Sequence, residues 1–131
     1  MMRSLEEKLE FKKKLEERTS DFTVAVFKCI DRLPETASSR VIAFQLGKSA
    51  SSVGANYREA NRAESTDDFI HKIGIVLKEC AETLYWLEVL LKLHPANCDL
   101  LKASDECDEL VRIFQSTRRT MHEKRNNRMT E

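Results

Sequence analysis

Glycine and proline are scarce in this chain, three and two among 131 residues. With so few residues that break a helix or supply a left-handed turn, and with neither a period-2 apolar run nor an Asn-Gly pair, strands and hairpins have no foothold. The fold class is all-α. No window approaches the ~18 apolar residues of a membrane span. The amino-terminal stretch "MMRSLEEKLEFKKKLEER" alternates acids and bases where a secretory leader needs a continuous apolar segment. Cys29, Cys80, Cys98 and Cys107 form no C-x-x-C pair. They read as reduced core or surface thiols in a reducing cytosol rather than as disulfides or zinc ligands, so a cytoplasmic protein without membrane contact is expected. An excess of one charge sign is missing too: 22 basic residues face 22 acidic ones. The field of the whole molecule therefore does not drive binding to nucleic acid or anionic lipid, and any such binding must be local.

What the chain has in quantity is helical periodicity. A sequence of 131 residues, 41% hydrophobic, is long enough for one core and short for two, so residues 1–131 are expected to form one domain. Leu5, Leu9, Lys12, Leu15, Thr19, Phe22, Val26, Ile30 and Leu33 step by three or four and end before Pro34. Ile42, Leu46, Ser49, Val53, Tyr57 and Ala60 form a second stripe, and Phe69, Ile73, Val76, Leu77, Cys80, Leu84, Leu87 and Leu91 a third. Leu100, Ala103, Cys107, Leu110 and Phe114 form a fourth. Ser4 with Glu7, and Ser65 with Asp68, have the spacing of helix-start capping boxes. The stripes predict helices over 4–33, 36–62, 67–93 and 98–121, with 122–131 a mobile tail of low apolar content. Connections of about two to six residues make consecutive helices antiparallel neighbours, giving an antiparallel up-down-up-down four-helix bundle.

The stretch "SASSVGANYREA", residues 49 to 60, is crowded with small residues. On a 100° wheel Gly47, Ser51 and Gly54 fall beside Phe44 and opposite the core stripe. Glycine inside a helix costs about 1 kcal/mol relative to alanine, so this face calls for a close approach, and a second copy of the chain is the expected partner. Ile75, Tyr85, Trp86 and Val89 likewise lie away from the core stripe of the third helix, and a helix apolar nearly all round is buried on more than one side. These eight residues are the candidate interface of a homo-oligomer; the competing reading makes them scattered surface apolars. Asn56, Glu59, Lys72 and Glu79 lie on the flanks of the same two helices and form a candidate polar seam that fixes register.

Residues 49–87 resemble a family of four-helix bundles named for proteins encoded in intervening sequences of bacterial 23S rRNA genes. The matching positions are Ser52, Val53, Ala55, Asn56, Glu59, Ala60, Phe69, Glu79, Glu82, Trp86 and Leu87. Gly54 before Ala55 and the Tyr57-Arg58 pair depart from the pattern. The resemblance implies a bacterial, cytoplasmic bundle that assembles into a homo-oligomeric ring, commonly a pentamer, with no known enzymatic activity.

No phosphate-binding glycine loop, nucleophile elbow or H-E-x-x-H occurs. Asp68 and His71 are one D-x-x-H pair, whereas a di-metal bundle needs two E-x-x-H motifs and further carboxylates. No catalytic residue, metal site or cofactor is expected, and the chain reads as a non-enzyme. Two basic groups point instead to binding: Arg40, Arg58 and Arg62 share one side of the second helix, and Arg118, Arg119, Lys124, Arg125 and Arg128 concentrate charge near the carboxyl end. They make RNA or DNA a candidate partner, with contact directed at phosphates because no aromatics are interleaved for base stacking. A scaffold that binds another protein through an outer apolar face is the alternative.

Overall fold

The computed structural model describes residues 3–130. Its four helices are α1 (Leu5–Asp31), α2 (Ala37–Ala60), α3 (Thr66–Leu93) and α4 (Cys98–Thr130). Each starts where a short polar side chain meets orphan backbone amides. The Ser4 hydroxyl accepts from the Glu7 amide, Thr36 from Ser39, and Ser65 from Asp68, while Asn97 accepts from Leu100 at 3.1 Å. Leu33-Pro34 and His94-Pro95 interrupt the helical path at two of the three joints.

The predicted stripes meet in one apolar core fed by all four helices. Phe22 and Val26 come from α1, Leu46, Val53 and Tyr57 from α2, Ile73, Val76, Cys80 and Leu87 from α3, and Leu100, Cys107, Leu110 and Phe114 from α4. The Tyr57 and Phe114 rings lie 5.2 Å apart at a tilted 54°. Both are almost fully buried, so truncating Phe114 to alanine is worth about 3–5 kcal/mol. The molecule is an all-α bundle in which α2 packs on both α1 and α3, α3 on α2 and α4, and α1 also touches α4. Across the last contact Arg18 forks onto Glu106 at 2.6 and 2.8 Å and also reaches Glu109. Near the other end Arg32 meets Asp99 at 2.9 Å.

At the carboxyl end the fourth helix runs past residue 121, where the apolar stripe predicted its end. α4 continues as helix to Thr130. Low apolar content removes hydrophobic anchoring, but Lys, Arg, Glu and Met are good helix formers. Two polar ties join the extension to the start of α3: Arg125 to Asp67 at 3.2 Å and Arg128 to the Thr66 hydroxyl at 3.2 Å.

Candidate functional site

The small residues of α2 meet α1 of the same chain, which corrects the reading of Gly47 and Gly54 as a face for a second subunit. A Cβ on Gly47 would stand 3.0 Å from Phe27 Cε1, and one on Gly54 would stand 3.1 Å from Thr19 Oγ1 and 3.3 Å from Thr19 Cβ. Both glycines are buried within the chain. The close approach they permit lets α1 lie against the arc of α2 next to the core. Phe44 remains outside at 68% exposure, and Tyr85 at 56% stands edge-on to Trp86 with ring centroids 4.9 Å apart. Trp86 and Val89 pack partly onto the core, Ile75 is half-buried, and the half-buried Ser51 donates to the Lys48 carbonyl of its own helix. The exposed apolar part of the predicted interface thus reduces to Phe44 and Tyr85. The Trp86 indole N–H is buried with no acceptor among the described residues.

The polar seam also takes a different form. No hydrogen bond joins Asn56, Glu59, Lys72 and Glu79 to one another among the described residues. Asn56 donates to the Ser52 carbonyl one turn back at 2.8 Å, Lys72 pairs with Asp68 at 3.6 Å on its own helix, and Glu59 is exposed. Glu79 is half-buried, and desolvation, reinforced by the neighbouring Glu82, pushes its carboxyl above the ordinary range. Charged pairs such as Arg18–Glu106 cross between helices at the periphery, whereas the polar groups that cross nearer the core are small hydroxyls. Thr83 Oγ1 lies 2.9 Å from Ser49 Oγ and 2.7 Å from the Glu79 carbonyl, and Thr23 donates to the Ala50 carbonyl at 3.3 Å. Short hydroxyls can satisfy themselves on nearby backbone and so tolerate burial where a long charged side chain would not. Part of their signal was present in the sequence, because Ser49 occupies a position in an otherwise apolar stripe, as does the buried Thr19, whose hydroxyl bonds the Glu16 carbonyl of its own helix.

The basic residues divide by position. Arg40 and Arg58 share a side of α2, but 18 residues at 1.5 Å each place them about 27 Å apart along the axis, and Arg62 lies just past its end. Arg40 therefore does not join the patch expected of it. Arg58 and Arg62 sit at the end of α2 that leads through a short turn into α3, and the ties of Arg125 and Arg128 bring the last turns of α4 to this same end. Between residues 117 and 130 the five cations Arg118, Arg119, Lys124, Arg125 and Arg128 face a single acid, Glu123. Since the chain is neutral overall, the remainder carries the compensating acidic excess. Arg125 spends part of its charge on Asp67 and donates to His122 Nδ1 at 3.0 Å. Arg118 and Arg119 rim a groove of about 500 Å³ between α3 and α4, floored by Leu77, Ala81, Leu84 and Val111. Arg58, Arg62, Lys124 and Arg128 are exposed and form no ion pair among the described residues.

Nucleophilic chemistry has little support. Burial holds the Cys107 thiol up to about 12 and raises Cys80 still further, and Cys107 is directed at the Cys80 carbonyl, 3.4 Å away. Buried neutral thiols of this kind are inert. Among the described residues, no set of three His, Cys, Asp or Glu side chains is placed to hold a metal ion and no helix is long and apolar enough to cross a membrane.

Comparison with known proteins fits this geometry. Residues 11–116 match the sequence model of the 23S rRNA-intervening sequence protein family. A crystal structure of a protein of unknown function from the S23 ribosomal protein family of Bacteroides thetaiotaomicron is 31% identical. It covers 78% of this chain and 95% of its own, with a TM-score of 0.71. No curated protein matches.

Proposed function

We propose, from the premise that the chain belongs to the 23S rRNA-intervening sequence protein family, that it is a non-enzymatic, self-assembling cytoplasmic bundle whose basic end holds nucleic acid by its phosphates. The observation that carries the reading is the segregation of charge. Five cations against one acid stand on a continuous helical extension beside Arg58 and Arg62, on a chain with no net charge. Arg58, Arg62, Lys124 and Arg128 are the phosphate contacts, because they are exposed and free of ion pairs among the described residues and, unlike Arg118 and Arg119, do not rim the α3–α4 groove.

The helices run up-down-up-down, each antiparallel to the next. Contact pairs whose numbers rise on one helix as they fall on the other support this: Thr19 with Gly54 and Phe27 with Gly47, then Cys80 with Cys107 and Gly74 with Arg118. Assembly into a homo-oligomeric ring, a pentamer by family resemblance, multiplies the basic end around a symmetry axis, so that weak contacts sum to useful avidity. Phe44 and Tyr85 supply exposed apolar area for the subunit contacts.

The test is fluorescence anisotropy of a short mixed-sequence RNA duplex titrated with protein over a salt series. Four phosphate contacts predict a slope of log affinity against log salt near −3 to −4, and changing Lys124 and Arg128 to glutamine reduces it by about 1.5 to 2. Affinity unchanged by that double substitution and by Arg58→Gln with Arg62→Gln would refute the assignment. The scaffold reading is favoured by the apolar floor of the α3–α4 groove. Saturable, nuclease-insensitive capture of one protein with no RNA binding would select it.

A further inference from the structure

The two ends of the chain lie outside the family match, which spans residues 11–116, and each leaves an apolar feature uncovered. At the amino end α1 begins six residues ahead of the match. Leu5 and Leu9 continue its core stripe for two further turns, yet they are 75% and 58% exposed, and the first buried residue is Leu15. Phe11 marks the boundary, packing against the core with the Arg3 guanidinium 4.3 Å over its ring. At the carboxyl end, α4 beyond residue 116 supplies the rim of the α3–α4 groove. Arg118, Arg119 and His122 flank one end of a floor made by Leu77, Ala81, Leu84 and Val111. Arg118 lies against α3 at Gly74, where a Cβ would be 3.6 Å from the guanidinium, an ordinary contact. Neither Arg118 nor Arg119 has an anionic partner among the described residues.

We infer that residues 5–10 of one copy of the chain lie in the α3–α4 groove of another copy, so that the amino-terminal arm of α1 links neighbouring subunits. This deepens the self-assembly reading and rests on it. Three features fit the arm to the groove. Length is the first: six helical residues span about 9 Å, and Leu77 to Leu84 span about 10 Å. Apolar complementarity is the second, since Leu5 and Leu9 are one turn apart on one face and the groove floor is aliphatic. Charge is the third. Glu6 and Glu10 follow the two leucines at the same 100° offset and so share one flank, where they meet Arg118 and Arg119. The Lys14–Glu10 contact within α1 is 3.8 Å long between exposed side chains, and such a pair offers little resistance to exchange. A chain cannot fill its own groove in this way. α1 is one uninterrupted helix packed on α2 and α4, and the groove opens between α3 and α4.

The experiment mixes two full-length chains, one carrying Lys8→Cys and the other Gln115→Cys, both with the exposed Cys98 replaced by serine. Lys8 and Gln115 are exposed, so both variants keep the fold, and Leu5 and Leu9 stay in place. The chains are co-expressed with different tags and treated with a short bismaleimide, and the assembly is weighed by native mass spectrometry. Cross-linking of unlike chains is expected, with a yield at least about tenfold lower when Arg118 and Arg119 become glutamate, and restored when Glu6 and Glu10 become arginine in the partner. An intact oligomer with no cross-link overturns the arm exchange and leaves self-assembly standing. A yield indifferent to charge reversal overturns the pairing of arm with groove, and a monomer overturns both this inference and the assembly reading.

Discussion

Replacing the three glycines one at a time by alanine separates the packing described for α2 from a simple matter of helix propensity. All three are helical and none has a positive φ, so each alanine gains about 0.5–1 kcal/mol from reduced backbone freedom in the unfolded chain. The surroundings then decide the sign. At Gly74 the new methyl meets only the Arg118 guanidinium at 3.6 Å, an ordinary contact, so the full gain should appear. At Gly47 it comes 3.0 Å from Phe27 Cε1; that ring is 42% exposed and can swing outward, which leaves a change near zero. At Gly54 the neighbour is Thr19, fully buried, with its hydroxyl held on the Glu16 carbonyl at 2.9 Å and its backbone carbon 3.6 Å away. Overpacking of this kind costs about 1–3 kcal/mol, so Gly54→Ala should lose about 1 kcal/mol net. At roughly 3–5 °C per kcal/mol for a chain of this size, Tm should rise for Gly74→Ala, hold for Gly47→Ala and fall for Gly54→Ala. Urea unfolding should give the same order at unchanged m-value. A Gly54→Ala protein as stable as Gly74→Ala would refute the close α1–α2 approach.

Thr83→Val should cost about 1 kcal/mol in urea unfolding, and adding Ser49→Ala should cost less than the sum of the two single changes, because the hydroxyls are 2.9 Å apart and serve one another; strict additivity would deny the coupling. Glu79 has a folded-state pKa above its ordinary 4.5, so between the two values the folded protein binds more protons and stability falls as pH rises. Glu79→Gln should therefore raise Tm at pH 7, and the gain should vanish below pH 4.5; a gain equally large at both would point to another cause. Maleimide on the folded protein should modify Cys98 alone, since Cys29, Cys80 and Cys107 are buried, and all four thiols should react after unfolding, as counted by intact mass.

The positions that face the core were legible because burial of an apolar stripe is a local, periodic property, and the helix starts because a capping hydroxyl lies three residues from its amide. Two of the differences come from the helical wheel. A helical wheel gives the angle of a residue but not what stands at that angle. α2 has neighbours on two sides, so the arc holding Gly47 and Gly54 is filled by α1 rather than left open. The wheel also discards the rise along the axis, which places Arg40 with Arg58 and Arg62 by angle although it stands at the other end of α2. The seam was misjudged for an energetic reason: long side chains such as Glu59 and Lys72 reach water or a partner on their own helix at little cost. Thr19, Ser49 and Thr83 are short enough to remain inside.

The continuation of α4 bears most on function, because it separates what holds the bundle together from what the bundle carries. Phe114 is the last buried residue of α4, and the family match ends two residues later. Beyond that point the helix contributes charge and two exposed ties to α3, and exposed pairs of this sort stabilise by about 0–1 kcal/mol. Ending the chain after Ser116 should therefore leave helicity up to that residue and most of the stability, with a Tm loss of about 5 °C or less. The same truncation removes five of the 22 basic residues. The remaining bundle becomes acidic, and an acidic surface repels phosphate at the distances over which the intact end attracts it. Stability and RNA affinity should thus come apart. A truncated chain that unfolds outright would show that Arg125 and Arg128 hold α3 in place, while one that still binds RNA with the full salt slope would move the contact to another face.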